Sequence, residues 1–140
     1  MVILVTGYGG FVGRHTMPKL IRDGHRVIYF GRTAPSSDLI GHYIRGDLSS
    51  RDGFDRIPWS EIEGVMHLAS AGVKAVSRQL DDCLRVNVGG LTQLLTSLTA
   101  NSPRLVRVVL TPTFYERAVA QHPALLANPY IATKHIATQV

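Results

Sequence analysis

A chain of 140 residues has the size of a single domain, which buries roughly 70% of the surface that its unfolded chain exposes. The hydrophobic content of 45% is that of a globular protein, and the apolar runs are too short to span a membrane. The net charge of +5 leaves nucleic-acid binding only as a minor alternative, because the arginines are scattered from Arg14 to Arg117 without an aromatic platform or a zinc-ligand pattern. A small polyanionic ligand accounts for the charge equally well, and no metal site is predicted.

The chain starts on an apolar strand pattern, with neither the basic region nor the cleavage site of a signal peptide. We therefore expect a cytoplasmic protein. Cys83 agrees with this expectation, because one thiol cannot form an internal disulfide. No histidine is arranged with it as a catalytic partner would be, so Cys83 is predicted to be a small buried helix residue.

Strand patterns alternate with helix patterns along the chain, without an internal repeat, a low-complexity tract or a linker. Strands are predicted at residues 2–6, 27–30, 43–45, 64–68 and 105–110. Helices are predicted at residues 11–23, 50–56 and about 74–100. Such alternation is typical of parallel sheets with right-handed crossovers. We therefore predict an α/β fold with one doubly wound parallel sheet of strand order 3-2-1-4-5.

Pro18 fits poorly inside the first helix pattern. A proline there removes a backbone hydrogen bond and costs about 3 kcal/mol. We expect either a kink at Pro18 or a helix that begins later than the pattern indicates.

Three glycines follow the first strand and open the first helix. Gly7 permits a tight turn, Gly10 lets the backbone approach a pyrophosphate, and Gly13 lets the helix pack closely on the strand. Free N–H groups and the helix dipole at this point favour an anion. The alternative is a glycine-rich turn that binds nothing, but its place after the first strand favours a dinucleotide.

A second pattern lies near residue 130. Asn128 and Pro129 are a favourable start for a helix, which places Tyr130 and Lys134 four residues apart on one face. A free phenol with a pKa of about 10 is a poor base at neutral pH, and a nearby ammonium favours the phenolate. The alternative for this pair is a solvated helix face.

The segment from Thr6 to Gly13 resembles the TGxxGxxG motif of the extended short-chain dehydrogenase/reductases, the NAD-dependent epimerase/dehydratase family. Later motifs recur in the family's order, so the resemblance covers essentially the whole chain. It implies an NAD(P)-binding Rossmann domain over residues 1–140. The implied contacts of the turn with the cofactor come from Gly7, Tyr8, Gly10, Phe11, Val12 and Gly13.

The resemblance implies further cofactor contacts along the chain. Asp47 and Leu48 resemble the pair that contacts adenine, and the segment from His67 to Ser70 resembles the family's HLAA segment. Asn87 resembles the asparagine of the N-V-x-G motif, which supports the active site. Taken singly, these residues are ordinary turn, strand-end and helix residues. The implied contacts are Asp47, Leu48, Leu68, Ala69, Ser70 and Asn87.

Tyr130 and Lys134 resemble the family's YxxxK motif, including the preceding proline. The resemblance implies that Tyr130 exchanges the hydroxyl proton while hydride passes between the substrate and nicotinamide, and that Lys134 also binds the nicotinamide ribose. Thr113 is our first choice for the hydroxyl that orients the substrate oxygen, and Thr111 is our second. Either threonine could instead simply end a strand.

The residues at the end of the second strand favour NADP as the cofactor. NAD is the alternative. NAD-preferring relatives place an acidic residue where this chain has Gly31, and glycine cannot bind a ribose hydroxyl. Arg32 can pair with a 2′-phosphate instead. The alternative for Arg32 is an exposed arginine without a ligand.

We therefore expect an NAD(P)-dependent oxidoreductase or isomerase of epimerase, dehydratase or reductase type. Its partner would be a small substrate with a hydroxyl or carbonyl group, and nucleotide sugars are the commonest substrates in the family. A homodimer is possible. The family continues into a C-terminal substrate domain, whereas this sequence stops at Val140, ten residues after Tyr130. We therefore expect that domain to be absent and the fifth strand to form an apolar edge. We also expect the isolated chain to turn over little substrate. The rival hypothesis is a non-catalytic dinucleotide-binding module with a sensor or interaction role.

Overall fold

Five parallel strands form one sheet in the computed structural model of the chain, which describes residues 1–37 and 39–140. Their order is β3-β2-β1-β4-β5, which confirms the predicted doubly wound topology. All four neighbouring pairs are parallel, because each strand returns to the same end of the sheet through a crossover. The strands are β1 Val2–Thr6, β2 Arg26–Gly31, β3 His42–Arg45, β4 Gly64–His67 and β5 Arg107–Leu110.

Helical segments cover both faces of the sheet. Leu4 on one face packs with Leu94 and Leu98, while Val5 on the other packs with Met17. Burial on both faces explains why the central strand is an unbroken apolar run. The α-helices are α1 Phe11–Arg22, α2 Leu80–Cys83, α3 Leu91–Asn101, α4 Glu116–Val119 and α5 Pro129–Ala137, and a π-helical segment, Leu84–Gly90, joins α2 to α3.

Two helix predictions were wrong in extent. The helix expected over residues 74–100 begins at Leu80, because Ala75–Ser77 forms a short 3-10 turn and Gln79 is extended. The helix expected over residues 50–56 is only the 3-10 turn Phe54–Arg56. Arg51 and Gly53, which precede that turn, have φ of 62° and 81°, a left-handed conformation that no right-handed helix contains.

Other local expectations had mixed outcomes. The first helix begins at Phe11 and continues through Pro18, so the alternative of a later start was wrong. Cys83 is fully buried in α2, as predicted. The fourth and fifth strands are shorter than expected, and β5 lies at the edge of the sheet with Val108 and Val109 partly exposed. Among residues 1–37 and 39–140, no helix combines the length and apolar character needed to cross a membrane.

Candidate cofactor and active site

The glycine turn lies between β1 and α1, at the carboxyl end of the sheet. Gly7 has a φ of 72°, and a Cβ there would collide with the backbone of Leu68 and Ala69, which follow β4. Gly13 lies against the backbone of Tyr8 just as closely. Gly10 is different, because it is exposed, and the nearest neighbour that a Cβ would meet is the Gly7 carbonyl at 3.2 Å. Two glycines therefore permit close packing, and Gly10 leaves an open surface.

The start of α1 is suited to an anion. Its N-cap is Gly10, which provides no side-chain acceptor, and the first turn holds no acidic residue. The Gly10 N–H donates to the Gly7 carbonyl at 3.0 Å, and the N–H groups of the first helical turn after Gly10 point toward a ligand, at the positive end of the helix dipole. Phe11 and Val12, both predicted cofactor contacts, are exposed beside this turn.

Tyr8 occupies the space between the glycine turn and the end of β2. Its ring packs edge-on against Tyr29 with centroids 5.0 Å apart, and its hydroxyl donates a hydrogen bond to the Thr33 carbonyl. Burial, with a smaller effect from Tyr43, raises the pKa of Tyr8 to about 12, so the phenol stays protonated. A Cβ on Gly31 would lie 3.2 Å from the Tyr8 hydroxyl. Tyr8 thus faces the protein with its side chain, and only its backbone borders the turn.

Arg32 and Asp47 come together beyond the ends of β2 and β3. Burial opposes the ionisation of Asp47, but hydrogen bonds from Ser49 and the charge of Arg32 outweigh it and lower the pKa of the carboxyl. The amide and the hydroxyl of Ser49 both donate to Asp47 Oδ1 at 2.8 Å. Arg32 is exposed, and Leu48 is buried beneath Gly90. Within the described residues, this leaves an ionised acid with one oxygen that accepts no hydrogen bond, close to the charged and exposed Arg32.

His67 ends β4 in a buried position, 3% exposed. Its Nδ1 lies 2.8 Å from the Thr6 hydroxyl at the end of β1. Burial, and then the charge of Lys134, lower the pKa of His67 to about 4, so the ring is neutral near pH 7. The Thr111 hydroxyl donates to the His67 carbonyl at 3.2 Å. Three strand ends therefore meet in one hydrogen-bonded layer beneath Lys134.

Asn87 connects the segment after β4 to α5. It is buried in the π-helical segment, and its Oδ1 accepts from the Ala71 amide at 2.7 Å and the Ser70 hydroxyl at 3.2 Å. Its Nδ2 donates to the Ala71 carbonyl at 3.1 Å and to the Thr133 hydroxyl at 2.9 Å. These four bonds satisfy both donor hydrogens and both acceptor lone pairs of the Asn87 side-chain amide. Asn87 therefore holds protein segments together, and sequence reasoning missed its partners Ala71 and Thr133.

α5 starts as predicted. The side chain of Asn128 accepts from the amides of Tyr130 at 3.0 Å and Ile131 at 3.5 Å, and Pro129 occupies the first turn. Lys134 is only 7% exposed, and its ammonium has no hydrogen bond or ion pair within the described part of the chain. Burial lowers the pKa of Lys134, and Glu116 opposes that shift. An ammonium at the end of a mostly buried side chain, without a protein acceptor in the described residues, is suited to binding a polar ligand.

Glu116 is a site residue that sequence reasoning missed. Its Oε1 accepts from the Thr113 amide at 2.9 Å, and its carboxylate favours the protonated form of Lys134. The spacing Thr-x-x-Glu is that of a capping box, which could have indicated this bond. Glu116 thus connects the loop after β5 to the Tyr-Lys helix.

A cavity of about 740 Å³ lies over this end of the sheet. Tyr130 and Thr113 line it together, whereas Thr111 is not among its lining residues and bonds to His67 instead. Arg78, which sequence reasoning did not single out, also lines it. The first-choice threonine and the predicted catalytic tyrosine therefore line the same cavity.

This sheet, with a glycine turn after β1 and a Tyr-x-x-x-Lys helix after β5, defines the chain as a Rossmann-type member of the short-chain dehydrogenase/reductases. The sequence model of the NAD dependent epimerase/dehydratase family matches residues 3–140. The chain belongs to that family.

One sequence relative agrees with this assignment, and two solved structures share the fold. The 2-alkyl-3-oxoalkanoate reductase of Stenotrophomonas maltophilia is 31% identical over 99% of this chain and 45% of its own. A short-chain dehydrogenase/reductase superfamily protein from Agrobacterium tumefaciens, solved with bound NAD, superposes with a TM-score of 0.79 at 24% identity, over 99% of this chain and 43% of its own. The yeast methylglyoxal/isovaleraldehyde reductase complexed with NADPH superposes with a TM-score of 0.80 at 22% identity, over 99% of this chain and 51% of its own. The chain thus spans about half the length of these proteins or less.

Proposed function

We propose that this chain is the dinucleotide-binding and proton-transfer part of an NAD(P)-dependent epimerase, dehydratase or reductase that acts on a hydroxyl or carbonyl group. The observation that carries the proposal is Lys134, a buried residue whose ammonium has no partner among the described residues, one helical turn from Tyr130 at the wall of a cavity. The substrate would be a small molecule. Membership of a family named for NAD dependence and relatives solved with NAD or NADPH support the choice of cofactor.

The residues present fit a dinucleotide. The exposed N–H groups around Gly10 would hold the pyrophosphate, since a side chain at this position would occupy the space that the phosphates need. Asp47 keeps one carboxylate oxygen for the adenine amino group, and the segment from Leu68 to Ser70 borders Gly7 where a ribose would pass. Arg32 would pair with a 2′-phosphate, and the glycine at position 31 supports NADP as the preferred form.

The protein's part in the reaction is to move one proton at the Tyr130 hydroxyl. The dinucleotide supplies a carbon that accepts or donates hydride. During alcohol oxidation, the Tyr130 phenolate takes the proton from the substrate oxygen while the carbon loses hydride, and a carbonyl forms. During reduction, the phenol returns that proton. Lys134 would bind the nicotinamide ribose, and Thr113 would hold the substrate oxygen by a hydrogen bond.

Two measurements test the proposal. Calorimetry of the chain with NAD and NADP should give saturable binding. The Tyr130→Phe variant should keep cofactor affinity but lose hydride transfer by at least about 100-fold, since acid–base catalysis contributes roughly that much. His135→Gln, on the same helix, is the matched control. Turnover that survives in Tyr130→Phe would contradict the proposed role.

A further inference from the structure

Arg78 is held at the mouth of the cavity by backbone groups. Its Nε donates to the Gly72 carbonyl at 2.9 Å, and one Nη2 hydrogen donates to the Val73 carbonyl at 3.2 Å. Both acceptors belong to the segment after β4. These bonds use one edge of the planar guanidinium, and the edge formed by Nη1 and the second Nη2 hydrogen has no bond in the described residues. A fixed fork of donors is therefore available.

Arg78 lies close to Tyr130. Gly72, with a φ of 82°, lies between them, and a Cβ added to it would be 3.4 Å from Tyr130 Cβ and 3.6 Å from Arg78 Cγ. The same atom would also be 2.5 Å from the Cys83 sulfur, which leaves no room for a side chain at position 72. The tight turn at Gly72 thus lets the two side chains reach one cavity, whose wall both of them line.

The charge of Arg78 has no counter-ion among the residues that the structure describes. No carboxylate lies within 4.0 Å of its guanidinium in residues 1–37 and 39–140, and Arg78 is the one charged residue among those that line the cavity. Arg78 uses only two N–H groups to hold the segment after β4. This structural role therefore does not explain why a charged guanidinium with further donors lines the cavity. Because a guanidinium binds carboxylate or phosphate through two parallel hydrogen bonds, the free edge matches an oxyanion.

We propose that the cavity selects substrates that carry an oxyanion, a carboxylate or a phosphate, which pairs with Arg78 while the reacting hydroxyl or carbonyl lies at Tyr130. The role of Tyr130 rests on the proposed function above. The anion contact itself does not depend on it. Arg78 is then a specificity-determining residue, and Val73 and Ile131 form apolar wall between the two polar points.

The test is a nuclear magnetic resonance titration of the full chain with sodium acetate and with inorganic phosphate, using acetamide as the uncharged control. The protein is first saturated with dinucleotide so that the glycine turn cannot bind the probes. We expect saturable shifts of the Arg78 side-chain and Tyr130 ring signals with at least one anion and none with acetamide. The two anions distinguish a carboxylate site from a phosphate site.

Variants supply the second measurement. Arg78→Gln should weaken anion binding at least about tenfold, because the charge-assisted, two-bond pair with the anion is lost. Arg78→Lys should retain part of it, and Lys74→Gln, an exposed neighbouring cation that is not among the cavity residues, should change nothing. Wild-type protein whose Arg78 and Tyr130 signals do not respond, or equal anion affinity in Arg78→Gln, would overturn the inference. A parallel titration without dinucleotide separates this result from a failure of cofactor binding, which would contradict only the proposed function.

Discussion

Asn87 Nδ2 donates a hydrogen bond of 2.9 Å to Thr133 Oγ1, and both residues are buried. Thr133 in turn donates to the Pro129 carbonyl at 2.7 Å, in the first turn of α5. One hydrogen-bonded path therefore runs from the segment after β4, through the π-helical segment, to the helix that carries Tyr130 and Lys134. This path sets the position of that helix over the end of the sheet.

Replacing Thr133 by valine should destabilise the fold by about 1–3 kcal/mol, because the substitution leaves a buried amide hydrogen of Asn87 without an acceptor. Denaturant unfolding measures the change in free energy. Thr133→Ser, which keeps the hydroxyl, is the matched control and should lose less. If valine and serine have the same effect, packing rather than the hydrogen bond holds α5.

Gly10→Val should abolish dinucleotide binding and leave the fold intact. The φ of Gly10 is −75°, which any residue can adopt, and the Gly7 carbonyl, 3.2 Å from an added Cβ, need shift only slightly, so the main competitor for the new side chain is a ligand. Calorimetry on a variant with an unchanged melting temperature measures the loss, with Gly89→Ala as the control. Gly7→Ala should instead damage folding, because of its φ of 72° and its contact with Ala69. Undiminished affinity in Gly10→Val would rule out this turn as the pyrophosphate site.

Arg32→Ala should weaken NADP binding much more than NAD binding. The reason is that only NADP has the 2′-phosphate that the guanidinium would pair with, and such a charged pair contributes about 1.5–3 kcal/mol. Separate dissociation constants for the two cofactors give the answer, and Arg22→Ala, at the far end of α1, serves as the control. If Arg32→Ala lowers the affinities for NADP and NAD equally, Arg32 does not bind the 2′-phosphate.

Acid should destabilise the protein through His67. Its pKa is about 4 in the folded chain and 6.5 ordinarily, so the unfolded chain binds more protons between these values and stability falls as pH drops from about 6.5 to about 4. The full loss is about 3 kcal/mol. His67→Asn keeps an acceptor for Thr6 but does not titrate, so its free energy of unfolding should depend less on pH in this range. Identical pH dependence in the two proteins would show that His67 is not the responsible group.

Much of the fold could be predicted from local sequence. β1 is apolar throughout because it is buried on both faces, and Asn128 with Pro129 marks the start of α5 because each suits its place in the first turn. The predictions failed where backbone conformation overrides helix pattern, as at Arg51 and Gly53 with their positive φ. An arginine is not a residue type that signals such a turn in advance.

The contacts of the site were decided by the tertiary structure. Thr6, His67 and Lys134 are distant in sequence, and no spacing indicates that they meet or that His67 becomes neutral beneath Lys134. Arg78 was overlooked for the same reason, because its neighbours Gly72 and Tyr130 belong to two separate segments. Local sequence determines where strands and helices form, through burial and backbone preference. The parallel crossovers then gather the carboxyl ends of β1, β4 and β5 at one edge, and this convergence of remote segments makes the site.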